Sequence, residues 1–278
     1  MSEAHKFPKK IAGRDKELEL IRVCLQQRLN CIIAGPPGVG KSTLLRYVAE
    51  LAPSINPQYR SSYIDCWEFG TETEISSAIL DRIQSDYKED LNIVPPGLLG
   101  RRYQSLLSPD SVLPFICIDH IDRITDFSGV SIGNPLISLT ESNAVVFLAT
   151  RNPMHALPNF LANRFQPLYL GPLPFEAVLS AIQSQLRPGG KEIKESIAKR
   201  IADISGGHPL VLKAILESIS ASDSPIEAEL NNIEIRLSET LKIPKGIQDL
   251  TPGQWVLKSP SFDISTLGNL MGFENWKP

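Results

Sequence analysis

The chain has 278 residues, is 42% hydrophobic and 21% charged, and carries a formal net charge of −3. That length and apolar content support one large domain plus a smaller one around a proper core. The charge excludes a global basic field for nucleic acid, though not a local patch, and is too weakly acidic to imply a basic partner.

The four cysteines, Cys24, Cys31, Cys66 and Cys117, show no C-x-x-C spacing and no nearby histidine pairs, and read as buried thiols in a reducing compartment. No stretch approaches the roughly 20 apolar residues of a membrane span. The N-terminus lacks a basic region followed by an apolar run, so a cytoplasmic protein with no membrane partner is expected.

Met1 to Ile11 is polar, with Lys6, Lys9 and Lys10 around Pro8, and reads as an extended arm. Asp15 can cap a helix whose apolar Leu18, Ile21 and Leu25 share one face. Asn30 to Ala34 reads as a short buried strand. Behind it, Gly35-Pro36-Pro37-Gly38-Val39-Gly40-Lys41-Ser42 fits the phosphate-binding loop pattern G-x-x-x-x-G-K-[ST] at every fixed position, and Ser42 to Ala49 reads as the helix that follows. The glycines let the loop turn so that successive N–H groups point inward, and the positive end of the helix adds field for phosphates. Lys41 is then expected to reach the β- and γ-phosphates and Ser42 to ligate Mg²⁺, with Thr43 one step further out. The expected ligand is a nucleoside triphosphate.

Ser61 to Cys66 reads as a second strand, and Glu74 to Tyr87 as a helix with Ile75, Ile79 and Ile83 on one face. Lys88 to Asp110 holds Pro95-Pro96-Gly97 and then Arg101 and Arg102 on a short basic helix, either a solvated face or a contact to a phosphate backbone or a neighbouring subunit. Leu113 to Asp119 is an apolar strand ending in a carboxylate; Asp119 would hold the Mg²⁺ water shell opposite Ser42. His120 follows, with Asp122 two residues on; a histidine, with an ordinary pKa of about 6.5, can serve as a base at neutral pH.

Ser142 to Thr150 reads as a fourth strand delivering Thr150-Arg151-Asn152 to its C-terminal end, where ligands lie in open α/β sheets. Leu161 to Phe165 ends a short helix before a fifth strand, Gln166 to Leu170. From Pro172 the strands stop. Phe175 to Leu186, Ile193 to Ile204, Pro209 to Ser220 and Ile226 to Leu241 read as four amphipathic helices, with a Pro188-Gly189-Gly190 break in the first pair. Gly206-Gly207 reads as a helix end and Pro209 as the first residue of the next helix.

Several of these motifs resemble those of initiator-type AAA+ and STAND ATPases, over about Ile11 to Ser220. The run Gly13-Arg14-Asp15-Lys16-Glu17-Leu18 looks like the G-R-x-x-E-L element whose backbone flanks the adenine, which implies ATP/ADP as ligand and places Arg14 at the nucleotide. Most AAA+ enzymes put Glu directly after the Asp119 position. His120 in that place implies slow hydrolysis, as the base itself or as a non-catalytic replacement. Thr150-Arg151 looks like the STAND signature in which the arginine approaches the γ-phosphate within one subunit. Arg164-Phe165 looks like the AAA+ arginine finger offered to a neighbour's nucleotide, the alternative being a solvated helix-end cation. Gly206-Gly207-His208-Pro209-Leu210 resembles the STAND G-G-x-P-L turn, in which the proline, here Pro209, packs on the adenine and couples the lid to nucleotide state.

The expected fold is therefore α/β: a doubly wound parallel-sheet P-loop core of the additional-strand class over residues 1–171, a small helical lid over 172–244, and a tail over 245–278 that can be a partial winged helix. The leading functional expectation is a slowly hydrolysing STAND-like ATP switch whose state controls homo-oligomerisation or binding of a separate effector protein. The rival is an AAA+ DNA-associated ATPase of initiator or transposition-regulator type that binds duplex as an oligomer, motivated by the Lys-rich arm, Arg101, Arg102 and the tail. A plain ATP hydrolase is the third.

Overall fold

A computed structural model of the chain describes residues 11–71, 73–75, 77–79, 81, 113–124, 133–141, 144–151, 157–186, 193–222, 224–240, 253, 254 and 256. The lysine-rich start of the arm, Arg101 and Arg102, Asn152, the Pro188–Gly190 break and nearly all of the predicted tail lie outside the described residues. Two compact units emerge. One takes Lys16–Gly35 and Lys41–Tyr169; the other takes the chain from Leu170 onward together with Pro36–Gly40 and the residues leading to Asp15.

The first unit is built on five parallel strands in the order β2-β3-β4-β1-β5. These are β1 (Cys31–Ala34), β2 (Tyr59–Asp65), β3 (Leu113–Asp119), β4 (Val145–Thr150) and β5 (Gln166–Tyr169). Burial along the strands agrees with this order. β1, β3 and β4 are continuous apolar runs buried along their whole length, as strands covered on both faces must be. β5 buries only Leu168 and tolerates Pro167, which suits an edge strand. β4 sits between β1 and β3, the insertion expected of the additional-strand class. Asn30 stitches this arrangement: its side-chain oxygen accepts the Val146 N–H and its carbonyl the Gln166 N–H, both at 2.8 Å.

Helices α1 (Asp15–Gln27), α2 (Lys41–Ile55), α3 (Gly133–Glu141) and the single turn α4 (Asn159–Ala162) accompany the sheet. α1 buries Leu18, Ile21, Cys24 and Leu25 on one face, and the carbonyl of Leu25 accepts the buried Tyr59 hydroxyl at 2.6 Å. Phe115 lies against Phe147 edge-to-face at 5.0 Å, inside the stack of strands. All four thiols are free and buried.

The second unit packs α5 (Phe175–Leu186), α6 (Glu195–Ser205), α7 (Pro209–Ala221) and α8 (Ile226–Thr240) around one apolar cluster that includes Ile182, Ile201, Val211, Ile215 and Ile233. α6 ends on Gly206 in the left-handed conformation, and α7 opens with His208 as cap and Pro209 in its first turn. The Gly-Gly-His-Pro run thus ends one helix and starts the next. Among the described residues no helix is long and apolar enough to cross a membrane.

Candidate nucleotide-binding site

Parallel strands end their side chains' journey at one edge, and the register here aligns the chemistry-bearing ends. Ala34 pairs with Thr150 and Asp65 with Asp119. The residues just past those positions, Gly35, Arg151, Cys66 and His120, therefore leave the sheet at its C-terminal edge, where open α/β sheets place ligands.

The phosphate loop runs from there into α2. Pro36 and Pro37 have no backbone N–H, so any phosphate cradle must use the amides from Gly38 to Ser42. The Val39 N–H turns back to the Pro36 carbonyl at 3.4 Å. A Cβ built at Gly40 would meet no atom within 4 Å, so the loop leaves room there for a bound group. Buried Arg14 donates to the carbonyls of Val39 at 3.0 Å and Gly171 at 2.9 Å; its side chain thus binds the loop itself, whereas the family resemblance concerns the backbone of this element.

Lys41 is buried, and its Nζ donates to the Gly35 carbonyl at 2.8 Å. Burial pushes its ammonium down to about 8; Asp119 and Asp122 draw it back up and Arg151 pushes it lower. Lys41, Asp119, Asp122 and Arg151 thus share one electrostatic neighbourhood. Ser42 is half-buried in the first turn of α2 beside exposed Thr43.

Asp119 is 1% exposed, yet both its oxygens are satisfied. Oδ2 accepts the Tyr63 hydroxyl at 2.6 Å and Oδ1 accepts the His120 N–H at 2.8 Å. Burial, and then Asp119, push the Tyr63 hydroxyl up, which keeps it a donor. The Asp119 carboxylate and the Ser42 hydroxyl are hard oxygen donors of the kind Mg²⁺ takes.

His120 has φ +55°, a left-handed conformation costly for a residue that carries a Cβ, and its N–H donates back to Asp119. Its Nδ1 meets Asp65 Oδ1 at 2.8 Å. Asp65 Oδ1 also accepts the Trp67 N–H at 3.0 Å, and Arg46 lies 3.8 Å from Oδ2. Burial works to raise the Asp65 carboxyl, but His120, the Trp67 N–H and Arg46 hold it below its ordinary value. As an ionised acceptor it commits the His120 ring proton to Nδ1 and leaves Nε2 for other partners. His120 lines a cavity of about 260 Å³ with Trp67, Asp122, Arg123 and Arg151.

Asp122 organises the end of β4. It accepts the Thr150 hydroxyl in a short hydrogen bond, and the Arg151 N–H reaches both its oxygens, at 3.1 and 2.8 Å. Arg164 stands apart from this group, donating to exposed Glu141 at 2.7 Å. Pro209, half-buried, opens α7; it is the preceding His208, fully buried, that touches the phosphate loop, its Nε2 lying 2.9 Å from the Pro37 carbonyl. Sequence reasoning singled out Asp119 but missed Asp65, the same polar ending on an adjacent strand. It missed Tyr63 and His208 as well, because neither pairing has a spacing signature.

A family profile described as "AAA domain" matches residues 23–150. Two curated proteins of Halobacterium salinarum, ORC1-type DNA replication protein 2 and ORC1-type DNA replication protein 4, are each 28% identical to this chain over 134 residues, 43% of its length. Those matches cover 50% and 32% of the two relatives, so the chain spans half or less of the curated proteins it matches. Among solved structures, the Aeropyrum pernix ORC2 protein in ADPNP–ADP complexes superposes with a TM-score of 0.62 at 12% identity, covering 97% of this chain and 96% of that one. The Thermotoga maritima RuvB Holliday junction branch migration motor gives 0.57 at 17% identity over 96% and 86%. Cdc6p from Pyrobaculum aerophilum gives 0.57 at 16% over 83% and 65%. The fold is that of the AAA+ P-loop ATPases.

Proposed function

We propose that this chain is an ATP- and Mg²⁺-binding AAA+ ATPase of the replication-initiator type, which assembles as an oligomer on duplex DNA in its ATP state. One observation carries the nucleotide part: Gly35, Asp119 and the Thr150–Arg151 turn leave one parallel sheet at its C-terminal edge, with Lys41 buried among the charges of Asp119, Asp122 and Arg151. The likeness to ORC1-type proteins supports the DNA part.

In this reading the loop amides and Lys41 bind the phosphates, and Ser42 and Asp119 hold Mg²⁺, which supplies neutralisation of phosphate charge. Asp65 orients His120 so that Nε2 can take a proton from the attacking water. Asp122 fixes Arg151 at the γ-phosphate side. Arg164 acts only across a subunit boundary.

The test is duplex retention and light-scattering mass with a non-hydrolysable ATP analogue and with ADP, across a salt series. Retention in the ATP state that falls steeply with salt is expected, because phosphate contacts release counterions. No retention at low salt in either state sinks the DNA part. A second reading, an ATP-held switch of STAND type acting on a protein partner, is favoured by His120 standing where a glutamate is usual and by Arg151 at the sensor turn. It expects a nucleotide-dependent change of mass without duplex.

A further inference from the structure

The phosphate loop contains two prolines without amides, so its capacity to bind anions rests on few donors, and two of these belong to peptide units that end in glycine. The Pro37 carbonyl shares a peptide plane with the Gly38 N–H, and the Val39 carbonyl shares one with the Gly40 N–H. All described peptides are trans. Carbonyl and N–H therefore point in opposite directions across each plane. Gly38 and Gly40 sit at φ +74° and +99°, and glycine accepts either sense of such a plane, so nothing in their own stereochemistry stops it from flipping.

Both planes are anchored by their carbonyls. Val39 O accepts from Arg14 at 3.0 Å, and Pro37 O lies 2.9 Å from His208 Nε2. His208 is fully buried, so no bulk water can stand in for it. Its Nδ1 accepts the Val211 N–H at 3.4 Å as the cap of α7, which leaves the ring proton on Nε2 and makes that nitrogen the donor to Pro37. Residues Pro36–Gly40, Arg14 and His208 all belong to one compact unit.

We propose that His208 is a positioning residue of the nucleotide site: by holding the Pro37 carbonyl outward, as Arg14 holds that of Val39, it turns the Gly38 and Gly40 amides toward the phosphates before they arrive. The proposal rests on the ATP-binding reading above. It assigns the G-G-H-P-L turn a contact with the phosphate loop through its histidine, separate from any packing of Pro209. Its content is preorganisation: without the anchor, the loop must select the binding-competent orientation at the moment of binding.

The two nitrogens of His208 can be tested separately. In His208→Asn the short amide keeps the cap to Val211 and cannot reach Pro37. In His208→Gln the longer amide reaches Pro37 and loses the cap. Affinity for a fluorescent ATP analogue with Mg²⁺ and the melting temperature are measured on the full chain. Both variants are expected to melt below wild type, H208N for the unpaired Pro37 carbonyl and H208Q for the lost cap, but H208N is expected to bind about tenfold more weakly or worse and H208Q within about threefold of wild type. Should H208N fail to fold, His208→Ser, again a strong cap without the reach, takes its place. H208N at wild-type affinity, or affinities that merely follow melting temperature across the series, overturns the positioning role alone. A wild-type chain that binds no nucleotide overturns this role and the ATP reading together.

Discussion

Lys41→Met separates what the site costs the fold from what it contributes to binding. The Lys41 ammonium is pushed from its ordinary 10.5 down to about 8, chiefly by burial. At 1.36 kcal/mol per pH step, the charged form is disfavoured by about 3 kcal/mol in the ligand-free protein. Methionine fills similar space and removes the charge, but it also removes the Lys41–Gly35 bond at 2.8 Å, worth about 1.5–3 kcal/mol for a charged donor. The absolute difference at pH 7 is therefore small. The pH dependence is where the charge shows. Because the folded value lies below the unfolded one, the penalty is complete below pH 8 and is relieved as pH rises from about 8 to 10.5. Over that window the folded wild type binds fewer protons than its unfolded chain, so it gains stability relative to K41M, by about 2–3 kcal/mol at pH 10. Cys31, Cys66, Cys117 and Tyr63, all pushed up, lose stability above pH 9 in both proteins and cancel in the difference. Urea unfolding of the pair at pH 7, 8, 9 and 10 reads this out. A difference that stays constant across the series refutes the burial argument, whatever its sign. ATP binding, in contrast, should be lost in K41M.

Gly38→Ala forces a Cβ to 2.7 Å from Leu210 Cδ2 and 2.8 Å from His208 Cε1 at a φ of +74°, so denaturant unfolding should show a loss of about 2–4 kcal/mol from strain and overpacking. A loss under about 0.5 kcal/mol, the ordinary scatter of surface substitutions, would mean that the loop is free to relax away. Asp122→Ala removes the acceptor of Thr150 and of the Arg151 N–H; steady-state assays should show turnover about tenfold lower with KM little changed, and a pure rise in KM would contradict a role confined to the reacting end. His120→Ala is expected to slow hydrolysis by about 10²- to 10⁴-fold, with Asp65→Asn close behind. The double variant should be no slower than H120A alone, since the two act as one unit; additive losses would separate them.

Much of the fold was legible in the sequence because its signals are local. The apolar run Leu113–Asp119 and the amphipathic stripe Phe175–Leu186 coincide with β3 and α5, since a continuous apolar run and a 3.6-residue stripe each report burial directly. β4 begins three residues later than its apolar pattern suggested, and α2 runs on to Ile55, past Ala49, because element ends depend on neighbours. The G-x-x-x-x-G-K-S spacing was legible as well, since a loop that is to turn a backbone around an anion needs its glycines and lysine at fixed positions.

What the sequence could not carry are the pairings between distant residues. Asp65 and Asp119 are 54 positions apart in the chain, and only the parallel register of β2 on β3 sets them side by side, which is what commits His120 Nδ1. Nothing local to Asp122 announces that it will hold the turn after β4. His208 stands at the variable position of the G-G-x-P-L motif, and only packing sets its buried ring against the Pro37 carbonyl. The sequence by itself pointed to a nucleoside triphosphate as the expected ligand and to the layered fold, because both readings follow from short-range spacing and hydrophobic period. The tertiary structure decided which side chains touch the loop and His120, because a hydrogen bond between distant residues is fixed by strand register and buried geometry, and neither has a period in the chain.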